Sequence, residues 1–215
     1  MKIYVVGSTK NRFLPFTNIR KKFFIDHKHV GENIDFLNPY YCELTGLYHL
    51  WKNVDDDIVG LEHYRRYFVN KKNKLLNDVE IKKLLEKNDI ICTKAHYSKK
   101  KPPKTWLIKN DKWHDMEKFL AFLKAYVGDD YYNHCVRHLN GDWHALGNMF
   151  ICKKALIDKY CEFIFDVTGM YIAAEKSFGR KIPKRIIGYF TEFLFGAWLT
   201  YNNKKIVFCN IKIVR

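Results

Sequence analysis

Short apolar runs alternate along this chain with stretches whose apolar positions recur every three or four residues. Residues 3–6, 58–61, 89–92 and 148–152 each have the length and apolarity of a buried strand. Between them, Tyr40, Leu44, Leu47, Tyr48 and Trp51 form one helical stripe, and Trp113, Met116, Phe119, Leu120 and Leu123 form another. Asn38 followed by Pro39 predicts a side-chain cap and a first-turn proline for the earlier helix. Residues 79–85, 131–139, 156–171 and 186–198 are expected to be helical, and residues 204–213 alternate loosely as a terminal strand. Strands interleaved with helices predict an α/β fold in one domain, 1–215, with a central, mostly parallel sheet flanked by helices. The four buried runs are expected to be neighbours in that sheet.

Ligand sites in open α/β sheets lie beyond the carboxyl ends of the strands, where side chains converge without filling the core. A strand at 58–61 would deliver Glu62, His63, Tyr64, Arg65 and Arg66 to such a mouth. Two adjacent arginines there point to an anionic ligand, because a guanidinium grips a pair of phosphate oxygens. The turn Gly7-Ser8-Thr9-Lys10 leaves the first strand with small residues that permit close backbone approach, and Lys10 is a candidate phosphate contact. The spaced glycines of a dinucleotide or P-loop fingerprint are absent. Asn148, heading the strand 148–152, joins the candidate ligand-binding set.

Three carboxylates are candidates for general-base work. Asp142 and His144 are the candidate acid-base pair of a polar loop, 140–147, that leads into a buried strand. Glu192 stands alone among Phe190, Phe193, Leu194 and Phe195, where an acid needs a partner or a purpose. Glu43, one turn inside the first helix, would either favour the helix dipole or bond a sugar hydroxyl. Arg180, Lys181, Lys184 and Arg185 would neutralise a diphosphate or face water. His134, Cys135 and His138 lack the glutamate and further ligands of a zinc site, so none is expected.

Charge changes the picture of partners. The 38 Lys and Arg residues outnumber the 23 Asp and Glu residues, giving a formal +15, and 16% of residues are aromatic. Polyanions, acidic lipid surfaces and nucleotide diphosphates all satisfy that sign. Zinc-finger spacing, an RRM-type aromatic signature and a recognition-helix cue are missing, so nucleic acid is not an expected partner. The six cysteines sit mostly in apolar segments without a CxxC pair, the pattern of free thiols in a reducing compartment. The first residues turn polar too soon for a secretory segment, and no run approaches the roughly 18 apolar residues of a membrane span. A cytoplasmic protein is expected, associated at most peripherally with the inner face of a membrane through the lysines of 94–104 and the basic group 180–185.

Three blocks of this sequence, taken in order, resemble a known family. They are Asn33-Ile34, Asn38 and Tyr41 to Tyr48 with Trp51-Lys52-Asn53; then Gly60 to Phe68; and finally Gly147 to Ile151, Tyr160-Cys161, Gly188-Tyr189 and Glu192. The chain is similar to the DUF4422 family of capsular or lipopolysaccharide biosynthesis glycosyltransferases. The resemblance implies a GT-A-like fold, a nucleotide-sugar donor such as a UDP-sugar, galactofuranose in some members, and a lipid-linked or polysaccharide acceptor. Thr9, Glu62 and Phe193 stand where the family pattern has His, often Cys, and Arg, and Glu32-Asn33-Ile34-Asp35 replaces Asp-Asn-Ile-Ser. A non-catalytic accessory role in glycan assembly is the alternative function. Asp55, Asp56 and Asp57 resemble the DxD signature that holds a divalent ion, but they precede the strand 58–61, so no obligatory Mg or Mn is expected.

Overall fold

The structure is a computed structural model that describes residues 1–15 and 18–214. Its centre is one eight-stranded sheet. β1 (Lys2–Gly7) lies between β2 (Arg20–Phe24) and β3 (Ile58–His63), parallel to both. β6 (Trp143–Lys153) runs antiparallel between β3 and β5 (Ile90–His96), and β7 (Ile206–Phe208) closes that edge parallel to β5. The order is therefore β2-β1-β3-β6-β5-β7, with β6 alone reversed. A branch leaves β3 where β4 (Arg66–Val69) folds back as a hairpin and pairs with β8 (Asn210–Ile213). The four apolar runs of the sequence are thus adjacent in one mostly parallel, GT-A-like sheet.

Alternation along the strands separates two cores. Tyr4, Val6, Leu61, Ile90, Cys92 and Phe150 face one side, with the helices α2 (Leu44–Asn53), α5 (Trp113–Tyr126), α6 (Asp129–Leu139), α7 (Lys154–Ser177) and α8 (Ile186–Tyr201). Ile3, Phe68, Ile91, Met149 and Ile151 face the other, under α3 (Asp78–Leu85). α3 starts where the sequence supplies a capping box: Asn77 accepts from the Glu80 N–H, and Glu80 returns a bond to the Asn77 N–H. α8 is apolar around nearly its whole circumference because most of it lies inside the helical layer, where Phe190 stacks on Phe119 at 4.4 Å.

Several boundaries differ from those the periodicity predicts. The helix expected from Asn38 is two helices, α1 (Asn38–Tyr41) and α2, broken at Cys42 by a left-handed φ of 53°. Asn38 gives no capping bond, and Glu43 becomes the N-cap residue of α2. β6 begins at Trp143, so most of the expected loop 140–147 is strand, with a bulge near Gly147 and Asn148, both at positive φ. The terminal strand is split at Cys209 into β7 and β8, which pair with different partners. Among the described residues, no helix is long and apolar enough to cross a membrane. All six cysteines are free.

Candidate active site

A cleft of about 990 Å³ opens at the carboxyl ends of β1, β3 and β5 and at the start of the reversed β6. Strand geometry explains which residues of the polar cluster reach it. β3 continues to His63, and since successive side chains alternate between faces, Leu61 and His63 share one side while Glu62 points to the other. His63, Tyr64, Arg65 and Arg66 all line the cleft, the last three from the hairpin between β3 and β4. The Tyr64 N–H donates to the Val6 carbonyl at 2.9 Å, which ties that hairpin to the end of β1. The His63 Nε2 is buried with no partner among the described residues.

Helix α8 supplies the opposite wall. Arg185, Gly188, Tyr189, Glu192 and Phe193 recur at helical spacing on its cleft-lining face, and Lys184 lies just ahead of them. Glu192 accepts the Gly147 N–H at 2.9 Å, and the His144 Nε2 lies 3.7 Å from the same Oε1. Burial raises the Glu192 pKa, but His144, the Gly147 N–H and His63 outweigh it and hold the carboxyl below its ordinary range. Gly147 permits this approach: at φ 67°, a Cβ there would stand 3.2 Å from both the Arg66 Nη1 and the His63 Cε1.

Glu43 lines the cleft from the start of α2, and its Oε1 accepts the Asn148 Nδ2 at 3.0 Å. Asn148 also donates to the Thr191 Oγ1 at 3.1 Å, so it braces the carboxylate from behind. Cys42 and Arg185 meet beside Glu43. Burial and the Glu43 charge push the Cys42 thiol up to about 11, which makes it unsuited to nucleophilic work. Tyr97, Trp106, Tyr189 and Phe193 form an aromatic wall, with Trp106 5.3 Å from Phe193 and His144 stacked on Phe193 at 4.2 Å. Burial and Glu192 push Tyr97 up to about 12.

Four expected site residues lie elsewhere. Glu62 is buried on the far face, where Arg20 grips both its oxygens at 2.7 and 2.9 Å. Lys10 is exposed on the turn after β1, and its neighbour Asn11 lines the cleft instead. Asp142 is exposed outside the cleft; its carbonyl accepts the Tyr97 N–H at 2.7 Å, and its charge acts on His138. His144, paired with it on sequence grounds, meets Glu192. Asn148 stands behind the lining rather than in it. Of the basic group, Lys184 and Arg185 reach the cleft, whereas Arg180 pairs with Glu175 at 2.9 Å.

A divalent ion does not fit the acidic run. Asp55–Asp57 precede β3, at the end of the sheet away from the cleft, and Asp56 is taken by the Met1 amine and by Lys2. Among the described residues, no group of three or more His, Cys, Asp or Glu side chains converges as a metal site.

Residues 3–204 match the family model described as Domain of unknown function (DUF4422). The chain belongs to the DUF4422 family. Its fold is similar to the apo structure of the WbbM bifunctional glycosyltransferase, with a TM-score of 0.80, 23% identity and coverage of 99% of this chain. The chain spans 45% of that protein's length. At that identity the likeness shows a shared fold. No curated protein matches the chain.

Proposed function

We propose that this DUF4422 chain transfers a sugar from a nucleotide diphosphate to a hydroxyl of a surface-polysaccharide or lipopolysaccharide acceptor. The observation that carries the reading is the composition of the cleft wall: His63, Arg65, Arg66, Lys184 and Arg185 face the same space as Glu43 and Glu192. Group transfer from a diphosphate needs positive charge where the leaving group departs and a base where the acceptor loses its proton. In the proposed step the acceptor oxygen bonds to the anomeric carbon while the bond from that carbon to the diphosphate oxygen breaks. The electron pair leaves with the diphosphate, which Arg65, Arg66 and Arg185 neutralise. The acceptor proton passes to Glu192, which its depressed pKa keeps ionised at neutral pH. The aromatic wall would pack against sugar rings, and Glu43, braced by Asn148, would orient hydroxyl groups.

The glycosyltransferase of similar fold, together with the family resemblance, makes UDP-sugars the first donors to test, with UDP-galactofuranose among them. Mass spectrometry of nucleotide release across a donor panel tests the reading. No release and no donor binding across the panel would favour the accessory role. Arg65→Ala and Arg66→Ala are each expected to lower kcat/KM by about tenfold to a hundredfold, because a positioned guanidinium fork is worth more than a mobile surface charge. Lys100→Ala, outside the cleft, is the control. Wild-type kinetics in both arginine variants would remove the hairpin from the donor site.

Transfer is expected to continue in excess EDTA, since the residues that resemble a DxD motif are at the wrong end of the sheet and the cleft supplies its own cations. Activity lost on chelation and restored by Mn or Mg would overturn that. The acceptor is proposed to be lipid-linked or polymeric and presented at the inner face of a membrane.

A further inference from the structure

Asn38 has a side chain that the fold leaves idle. It falls inside α1 rather than ahead of it, gives no capping bond, and lines the cleft with Pro39 and Cys42. Its Oδ1 is buried with no hydrogen-bond partner among the described residues. A buried acceptor left unpaired costs stability, so one that borders a ligand cleft marks a place where a ligand donor is due. The left-handed break at Cys42 leads on to Glu43 on the same cleft, and the segment packs against the first turn of α8. There the Arg185 N–H donates to the Pro39 carbonyl at 2.8 Å, the Arg185 side chain bonds the Cys42 sulfur, and a Cβ on Gly188 would stand 3.6 Å from the Cys42 Cβ. Glu43 uses Oε1 on Asn148, whereas its Oε2 has no hydrogen-bond partner among the described residues. The corner therefore offers two unused acceptor oxygens next to one guanidinium.

We infer that Asn38 contacts the transferred sugar: its Oδ1 and the Glu43 Oε2 accept hydrogen bonds from hydroxyls of the ring joined to the diphosphate that Arg185 holds. A hydroxyl can donate to either oxygen without carrying charge into the corner. The diphosphate itself fits Arg185 but not its neighbours, because ionised phosphate oxygens have no proton to give to two acceptors. A uracil edge presents one N–H between two carbonyl oxygens, so it would satisfy one acceptor and set an oxygen against the other. Sugar hydroxyls suit both. The ring would find an apolar face close by, since Tyr189 lies one turn along α8 with its ring 5.7 Å from the Arg185 guanidinium and 5.9 Å from Trp106 of α4 (Pro103–Lys109). The inference rests on the transfer reading and names the part of the donor that this corner takes.

Titration calorimetry of the full chain with UDP, UDP-galactofuranose, UDP-galactose and UDP-glucose tests it. Wild type is expected to bind UDP and at least one of the three UDP-sugars. Asn38→Leu should bind UDP within about twofold of wild type and that UDP-sugar about tenfold more weakly, since only the sugar loses a hydrogen bond. Without ligand, the thermal midpoint of Asn38→Leu should equal or exceed that of wild type, because an apolar side chain of similar shape replaces an unpaired acceptor. A residue kept for structure alone would show the reverse. Asn38→Ala, which adds no bulk, should give the same split between UDP and UDP-sugar and covers the case in which Leu disturbs the corner. Equal losses for UDP and the UDP-sugar in the Ala variant would overturn the inference, as would UDP-sugar affinity unchanged from wild type. So would a wild-type chain that binds UDP and none of the three UDP-sugars. A wild-type chain that binds neither UDP nor any UDP-sugar sinks the transfer reading itself.

Discussion

Glu192→Gln is expected to lower kcat/KM about a thousandfold while the chain stays folded, because a positioned general base contributes on the order of a hundred- to ten-thousandfold. Gln can still accept the Gly147 N–H, so the geometry of the bulge is kept while the proton acceptor is lost. Glu192 sits below the ordinary carboxyl range because His144, Gly147 and His63 outweigh burial. The base is therefore ionised above that depressed pKa, and activity falls only as pH drops through it. The same sign holds for stability: the depressed carboxyl contributes above its unfolded pKa, and the contribution is lost on acidification. In the Gln variant the acidic limb of the kcat/KM profile should disappear from the residual rate. Asp142→Asn should retain activity within about twofold, since its side chain lies outside the cleft. A Gln variant with wild-type turnover, or one that keeps the acidic limb, would move the base to Glu43.

The contrast between Glu192 and Asp142 shows what the sequence carries. Glu192 stands out in the sequence because an acid among phenylalanines must be stabilised by something, and its partners are a backbone N–H and a histidine. Asp142 stands out only for its setting in a polar stretch, and such residues face water as readily as a ligand. Strand parity separates His63 from Glu62 once β3 runs two residues past the apolar run 58–61. The helical spacing of Arg185, Tyr189 and Glu192 was likewise present in the sequence. It marks one face of α8, yet the nearly all-round apolarity of that helix hides which face meets the cleft. Trp106 has no helical stripe of its own beside the lysines of 94–104, although Pro103 starts a helix there. The break at Cys42 and the bulge at Gly147 and Asn148 are left-handed backbone turns, two of them at residues with a Cβ. No periodicity announces those positions. They rest on tertiary contacts, such as the Arg185 N–H bonded to the Pro39 carbonyl at 2.8 Å.

Arg20→Met is expected to destabilise the chain by about 3–5 kcal/mol, the range for breaking a buried ion pair from one side. Arg20 and Glu62 are each fully buried at the side chain, and their two parallel bonds join β2 to β3 across β1. Arg20 also donates to the Leu76 carbonyl at 2.8 Å, and Glu62 accepts the Phe68 N–H at 3.0 Å. Removing the guanidinium leaves a carboxylate with a single backbone donor in an apolar layer, which accounts for the magnitude. The double variant Arg20→Met/Glu62→Leu should recover part of the loss, because no charge is then stranded. Recovery should stop short of wild type, since the Phe68 N–H and the Leu76 carbonyl each lose a partner worth about 1–3 kcal/mol. Urea unfolding at constant m measures both, and a loss under about 1 kcal/mol for Arg20→Met would mean that water reaches the pair. The same variants decide whether Glu62 has any part in donor binding. At a temperature where the double variant is folded, its donor KM should match wild type, because Glu62 faces α3 and the second core rather than the cleft. A raised donor KM in a fully folded protein would return Glu62 to the site.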